Sequence, residues 1–273
     1  MYPVSTTLLP YQSPKSRAKI LQILLIVNIV FTCISMIGEW IAIGVYSDSA
    51  NAIPTDEETL MAEGLTGITG ILFIPVYLAT IVVFCIWIHR IYKNLPLLGA
   101  KNLRMTPGWA VGWYFVPFAN LVKPYQGMKD AWNACSLDAD QGDLSWGERS
   151  APGLIKWWWG FWLFSNSVSK LVVRIYNKAE TTDELISAAK LSIFSGLIDL
   201  KLTVLALILV KRLTERQEKK WQALQTQEQN FTSPFGFEPD SPQMGNVQGQ
   251  PLSFQMKEDH SSTEPSDPNF KWG

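Results

Sequence analysis

Two long uncharged segments constrain the fold of this chain more than any other feature of its sequence. Residues 20–38 and 64–88 contain no Asp, Glu, Lys or Arg over 19 and 25 consecutive positions. An α-helix needs about 20 mostly apolar residues to cross the hydrocarbon of a bilayer. Charged residues make up 17% of the 273-residue chain, against about 25% in soluble domains. The sequence therefore predicts an all-α integral membrane protein.

We expect four transmembrane helices in this chain. They are predicted at about residues 20–46, 64–88, 153–173 and 185–210. The first apolar run is longer than the roughly 7 to 15 apolar residues of a signal peptide, which favours an uncleaved anchor. It continues through Glu39 and Trp40, and we interpret Glu39 as an interfacial charge. The third span begins with tryptophans grouped around Lys156, which is typical of the aromatic belt at a membrane interface.

The fourth predicted span carries charge near its centre. Asp199 and Lys201 lie within a run rich in Leu, Ile, Val and Phe. On a membrane-insertion scale the two charges cancel most of the free energy gained by the apolar residues. We therefore expect this helix to depend on neighbours that pair its charges.

The charges that flank the spans predict the direction of insertion. Residues 1–19 and 89–104 carry basic side chains and no acid, whereas residues 47–63 carry acids and no base. Basic residues outnumber acids again after the fourth span. Because basic loops stay on the cytoplasmic side, four spans place both termini in the cytoplasm.

Residues 105–122 form a further uncharged segment, which we interpret as re-entrant and not as a fifth span. Pro117 interrupts the helix predicted from Pro107 to Val116, and ten residues make a helix of only about 15 Å. Thr106 is the expected N-terminal cap, and Gly108 with Gly112 offers a flat face for close helix approach. Backbone groups that lose their helical hydrogen bonds at Pro117 need other partners inside a membrane. We therefore expect this segment to be buried among the spans, and we expect Asn120 to help bond these backbone groups.

The rest of the chain is expected outside the bilayer. Residues 123–136 have Tyr125, Met128, Trp132 and Cys135 on one helical face and Lys123, Lys129 and Asp130 elsewhere, which predicts an interfacial amphipathic helix. The acidic stretch 137–152 is interpreted as an exposed loop. Residues 213–229 are expected to continue the fourth helix into the cytoplasm. The polar, proline-bearing tail at 230–273 is predicted to be disordered and cytoplasmic.

The residues between Pro107 and Trp132 resemble a known signature. The run PGWAVGWYFVPFANLVKPYQGMKDAW is similar to that of the domain of unknown function 4328 family. The matching positions are Pro107, Gly108, Trp109, Gly112, Trp113, Pro117, Asn120, Pro124 and Trp132. The resemblance extends over residues 65–212 and implies a multi-pass protein of the bacterial inner membrane. It implies no chemistry.

Asp199, Lys156 and Lys201 are the candidate intramembrane charges. Ionisable groups at membrane depth usually face a bundle interior or a cavity. One interpretation is a proton or substrate relay through Asp199. The other is a structural ion pair between Asp199 and Lys156, or lysines that extend to the headgroups. The segment 105–122 likewise either lines a cavity or binds a partner, or serves only as a packing wedge.

Composition excludes several functional classes. The net charge of −1 argues against a nucleic-acid-binding protein. The cysteines and histidines have no metal-ligand spacing, so we expect no metal or other cofactor. No familiar catalytic motif is present, so we expect a non-enzymatic adaptor, regulator or assembly component. Its expected partners are the lipid bilayer and a protein bound through its cytoplasmic surface or tail. A homo-oligomer is also left open. The alternative is a small-solute or ion transporter or channel that uses Asp199. A lipid-modifying enzyme ranks last.

Overall fold

A computed structural model describes residues 10–49, 56–137 and 148–232. Every regular element in these residues is helical, which confirms the all-α prediction. The helices are α1 (Lys15–Ser49), α2 (Asp56–Asn94), α3 (Pro107–Gly112), α4 (Lys123–Ala134), α5 (Gly153–Tyr176) and α6 (Thr182–Thr232), with short 3-10 turns at Leu95–Leu98 and Ala119–Leu121. Residues 230–232 of the predicted disordered tail are instead the end of α6. Residues 233–273 of that tail, and residues 138–147 of the predicted exposed loop, lie outside the described residues.

Three helices among the described residues are long and apolar enough to cross a membrane. The qualifying segments are Lys15–Ser47, Gly67–Leu98 and Thr182–Gln229. The predicted third span lies within α5, which is not among these three and carries Lys156, Lys170 and Arg174. The cytoplasmic extension predicted after residue 210 is continuous with α6, a helix of 51 residues and about 76 Å.

The four long helices are neighbours in a fixed order. Helix α1 packs against α2 and α6, and α5 packs against α6. Asn28 of α1 donates from Nδ2 to Thr80 Oγ1 of α2 at 2.8 Å. The hydroxyls of Ser169 in α5 and Ser195 in α6 lie 3.5 Å apart. These pairs fix the antiparallel register of the bundle.

The largest buried cluster lies at one end of the bundle, which we call the α4 end. Trp87, Tyr92, Met128 and Leu213 are each at most 1% exposed there. Elsewhere α1 and α2 present many exposed Ile, Leu and Val side chains on their outer surface. A surface of this kind is suited to lipid, because hydrocarbon replaces the water that such side chains avoid.

Buried polar side chains connect the elements at the α4 end. Asn94 of α2 donates from Nδ2 to the Gln12 carbonyl at 2.8 Å and to Gln217 Oε1 at 3.2 Å. Gln217 donates from Nε2 to the Ile91 carbonyl at 3.0 Å, and Lys220 Nζ donates to the Ala134 carbonyl at 2.8 Å. Because removing a partner would leave a buried polar group unsatisfied, these bonds hold α2, α4, α6 and the N-terminal segment together.

The segment at 105–122 differs from its prediction in helix length. Helix α3 ends at Gly112 and not at Val116, and turns follow. Proline has no N–H, so Pro117 cannot donate to the carbonyl of Trp113, and it disfavours helical geometry at the preceding residue. Thr106 caps α3 as expected, because its hydroxyl accepts the Trp109 N–H at 3.3 Å. The interfacial helix is also shorter, ending at Ala134.

The same segment is not buried as predicted. Its apolar side chains at Phe115, Phe118, Leu121 and Val122 are 51–87% exposed. The backbone is satisfied locally, because the N–H groups of residues 119–122 all donate to carbonyls within the segment. Local bonding removes the need for burial that the prediction assumed.

Gly196 of α6 lies where α1 approaches most closely. A methyl group at this position would meet Met36 Cγ at 2.8 Å and Sδ at 2.9 Å. Gly160 of α5 is a matched control, because an added methyl group there would have nothing within 4 Å. Ala favours a helix interior over Gly by about 1 kcal/mol. We expect Gly160→Ala to keep or raise the thermal unfolding midpoint of the detergent-solubilised protein and Gly196→Ala to lower it.

The loss caused by Gly196→Ala should shrink in a Met36→Ala background, because the clashing side chain is then absent. Equal midpoints for Gly196→Ala and Gly160→Ala would show that α1 and α6 are not in close contact at this position.

Candidate functional site

A cavity of about 260 Å³ lies between α1, α2, α5 and α6. We call it the acidic cavity, because two of its lining residues are Glu39 and Asp199. The other polar lining residues all carry hydroxyl groups: Thr32, Ser35, Ser169, Ser192 and Ser195. Phe73, Met36 and two valines of α5 supply apolar wall. Both carboxyl groups therefore lie within otherwise apolar helices.

Glu39 joins three helices at one end of the acidic cavity. Ser192 of α6 donates its hydroxyl to Glu39 Oε1 at 2.9 Å. Tyr176, the last residue of α5, donates its hydroxyl to Glu39 Oε2. Glu39, expected to be an interfacial charge, thus also lines the cavity that contains Asp199.

Asp199 lies at the other end of the acidic cavity. Its Oδ1 accepts a hydrogen bond from the hydroxyl of Ser165. Residues 192, 195 and 199 are spaced three and four apart, so they share one face of α6. Seven residues of helix separate Ser192 from Asp199, a rise of about 10 Å. The acidic cavity is thus lined by hydroxyl and carboxyl groups along about two helical turns of α6.

The described residues that line the acidic cavity include no lysine, arginine or histidine. Lys156 is exposed on α5, and it precedes the Asp199 partner Ser165 by nine residues, or about 13 Å of helix. Lys201 is also exposed. The structure thus does not bring the three predicted intramembrane charges together. An ion pair between Asp199 and Lys156 is not formed, because the two residues lie at different levels along the helix axes.

The tryptophan- and proline-rich motif surrounds a second cavity of about 390 Å³, which we call the α3 cavity. Pro107, Trp109 and Trp113 of the motif line it, and the two tryptophan rings stack with centres 4.5 Å apart. The remaining lining residues come from the end of α2 and the segment before α3: Tyr92, Pro96, Leu103, Arg104, Met105 and Thr106. Three residues of the motif therefore line a cavity.

The two glycines and Pro117 of the motif do not contact another helix. Gly108 has no atom within reach of an added methyl group, and Gly112 faces only the Trp109 side chain of its own helix. The predicted flat face for close helix approach is therefore not used within the described chain, because α3 packs on α2 through other residues such as the buried Ala110. Pro117 is exposed.

Asn120, Pro124 and Trp132 lie on the side of the motif nearer α4. Asn120 is half-buried, and its Oδ1 accepts no hydrogen bond, so this side chain oxygen does not help the backbone as expected. Pro124 is buried in the first turn of α4. The Trp132 ring lies 5.1 Å from the Arg216 guanidinium, and the Trp132 carbonyl accepts from Arg216 Nε at 3.1 Å.

Asp130 of α4 is a buried acid that the helical wheel assigned to the polar face. Its side chain is 1% exposed, and Arg104 Nε lies 3.5 Å from its Oδ2. Burial raises the pKa of the Asp130 carboxyl to about 6, although Arg104 and Lys129 act in the opposite direction. Asp130 is buried because α4 is covered on both sides, by α5 and α6 and by the segment that carries Arg104.

Sequence reasoning missed most of the acidic cavity. It identified Asp199 but not the serines at 165, 169, 192 and 195 or the Tyr176 hydroxyl that bonds Glu39. One signal was available, because the serines recur three and four residues apart and so mark one face of α5 and one face of α6. Which faces meet each other is not encoded in that spacing.

The Asp130 carboxyl gives a testable pH dependence. A pKa raised in the folded state means that folding stabilises the protonated acid, so its contribution is present below about pH 4 and is lost as the pH rises through about 6. The raised pKa corresponds to about 3 kcal/mol. We expect the thermal midpoint of the wild type to fall more between pH 4 and pH 6.5 than that of Asp130→Asn.

Asp183→Asn is the control for this measurement, because Asp183 is an exposed acid in the first turn of α6. Its pH profile should follow the wild type. Parallel profiles for all three proteins would show that Asp130 is charged in the folded state over the whole range.

Comparison with known proteins adds a family to this geometry. A family model described as "Domain of unknown function (DUF4328)" matches residues 52–215, which include the motif and Asp199 but not Glu39. No curated protein and no solved structure matches the chain. The match confirms the resemblance inferred from the motif. Because it covers more than half of the 273 residues, the chain belongs to the DUF4328 family.

Proposed function

We propose that this protein carries protons or small cations across a membrane through the acidic cavity. The observation behind the proposal is that Glu39 and Asp199 share one cavity between apolar helices without a basic residue among the described lining side chains. A carboxylate in a low-dielectric region is strongly destabilised unless it binds a proton or lies beside a cation. The acidic cavity therefore favours a positively charged ligand.

The arrangement of polar groups supports a path for such a ligand. Glu39, with Tyr176 and Ser192, lies near the end where α5 stops, and Asp199 with Ser165 lies about 10 Å deeper along α6. Ser169 and Ser195 lie between these two groups. Hydroxyl and carboxyl oxygens are suitable ligands for hard cations and are able to pass protons between them.

We also propose four spans with both termini in the cytoplasm of a bacterial cell, in its inner membrane. The pairing of α5 with α6 supports the third span: Ser165 bonds Asp199 and Ser169 approaches Ser195, so α5 runs antiparallel beside the apolar part of α6. The basic loops support the orientation. The bacterial location follows from what the family resemblance implies.

The re-entrant assignment of residues 105–122 has its own support. Met105, at the start of the segment, and Gly127, just beyond its end, are neighbours: a methyl group on Gly127 would lie 3.0 Å from Met105 Sδ. Both residues also lie beside Tyr92, whose hydroxyl donates to the Gly127 carbonyl at 2.7 Å. A segment whose two ends are in contact favours entry and exit on the same side of the bilayer.

A second proposed role is that of a non-enzymatic adaptor, regulator or assembly component. The continuation of α6 favours it, because residues 225–229 are exposed beyond the buried cluster at the α4 end. A helix that projects from a membrane bundle in this way is suited to binding a protein partner or a second copy of the chain.

The transport proposal is tested with the full-length protein in liposomes. We expect a flux of H⁺, Na⁺ or K⁺ that Asp199→Asn reduces at least about tenfold, because the buried carboxyl that neutralises the cation is lost, a change that equals 1.4 kcal/mol. Glu39→Gln should also reduce the flux. The measurement uses pH-sensitive and cation-sensitive dyes trapped inside the vesicles.

Asp183→Asn is the matched control, since it makes the same chemical change on α6 outside the acidic cavity and should leave the flux unchanged. Full flux through Asp199→Asn would overturn the assigned role of this carboxyl. A complete absence of flux from the wild type for all three cations would leave the adaptor as the better proposal.

The topology is tested by single-cysteine variants in intact cells. A cysteine introduced at Gly142 should react with thiol reagents only after the inner membrane is permeabilised. A cysteine at Lys178, in the connection between α5 and α6, should react without permeabilisation, because four spans put this connection outside. Labelling of Gly142→Cys from the outside would instead indicate that residues 105–122 cross the bilayer.

A further inference from the structure

We propose that the α3 cavity binds an anionic phospholipid, with the phosphate beside Arg104 and an acyl chain along Trp109 and Trp113. This inference does not depend on transport through the acidic cavity. It concerns a separate site, at the α4 end of the bundle.

The walls of the α3 cavity suit a hydrocarbon chain. Trp109 and Trp113 stack with ring centres 4.5 Å apart, and the Trp109 side chain is 51% exposed. Just beyond them Phe115 and Phe118 are 64% and 87% exposed. Exposed aromatic side chains are typical of the boundary between hydrocarbon and headgroups, where tryptophan is enriched. An acyl chain that follows these rings would cover apolar surface.

The polar edge of the α3 cavity suits a phosphate. Arg104 lines the cavity, and its side chain is 46% exposed. A guanidinium binds phosphate through short, charge-assisted hydrogen bonds. Buried Asp130 lies on the other side, 3.5 Å from Arg104 Nε, and helps to position the arginine. Lys123 Nζ adds positive charge 5.8 Å from the Trp113 ring.

The charge around the α3 cavity selects an anionic lipid over a zwitterionic one. Residues 102–129 contain Arg104, Lys123 and Lys129 and no acidic residue. The nearest acid along the chain, Asp130, is buried and faces Arg104. Basic clusters of this kind beside membrane helices attract anionic headgroups. A free anion would match the charge but would leave the aromatic walls of the cavity uncovered.

The test is native mass spectrometry of the full-length protein in detergent, titrated with phosphatidylglycerol or phosphatidylcholine of the same chain length. We expect phosphatidylglycerol to bind the wild type more tightly than phosphatidylcholine. Arg104→Gln should weaken phosphatidylglycerol binding about tenfold, since the charge-assisted bonds to phosphate are lost. Lys101→Gln is the matched control, because Lys101 is exposed in the same segment but does not line the cavity.

Arg104→Gln leaves Asp130 without its cation, so the double variant Arg104→Gln with Asp130→Asn is measured as well. We expect the double variant to bind phosphatidylglycerol as weakly as Arg104→Gln does. Its thermal midpoint should stay close to that of the wild type. Trp109→Ala should weaken the binding of phosphatidylglycerol through the loss of apolar contact.

Equal binding of both lipids, or weakening by Lys101→Gln as large as by Arg104→Gln, would overturn the proposal in favour of general lipid contact. Inorganic phosphate that displaces phosphatidylglycerol at low millimolar concentration would also overturn it, because the site would then recognise the free anion. None of these outcomes bears on cation flux, so the two proposals fail independently.

Discussion

Charge inside an apolar bundle is the constraint on which the rest of this structure depends. Glu39 and Asp199 lie between helices whose outer surfaces are largely Ile, Leu and Val, and they are bonded there by the hydroxyls of Tyr176, Ser192 and Ser165. Hydroxyl donors stabilise a carboxylate but do not neutralise it. The acidic cavity therefore combines two carboxyl groups with a built set of hydrogen bonds, and under the transport proposal this combination links the packing of α1, α5 and α6 to the binding of a cation.

The two ends of the bundle are held by different means. At the α4 end, buried side chains such as Asn94, Gln217 and Lys220 bond backbone carbonyls of neighbouring elements, and large side chains fill the space between them. Around the acidic cavity the contacts are small hydroxyls and a close approach at Gly196. Dense packing resists rearrangement more than a cavity does. The transport proposal therefore places the movement needed for ion passage in α1, α5 and α6 near the acidic cavity.

The segment with tryptophans and prolines bonds most of its backbone locally without forming a complete helix. Helix α3 contributes only six residues, yet its turns satisfy their own backbone groups, and Trp159 of α5 donates to the Leu121 carbonyl at 3.0 Å. The aromatic side chains are then left to face outwards. The α3 cavity takes its aromatic wall from Tyr92, Trp109 and Trp113, and Arg104 is among its other lining residues.

Local physics determined what the sequence could reveal about this protein. Apolar runs of sufficient length specify helices, and the spaced motif identifies the family. Thr106 and Pro107 specify where α3 starts, and Pro117 prevents α3 from continuing past it. Each of these depends on residues close together in the chain. Other features depend on how helices rotate and slide against each other. They are the contact of Glu39 with Tyr176 and Ser192, the distance between Asp199 and Lys156, and the burial of Asp130. Only tertiary packing decides those, because a helical pattern fixes which residues share a face but not which other face will cover it.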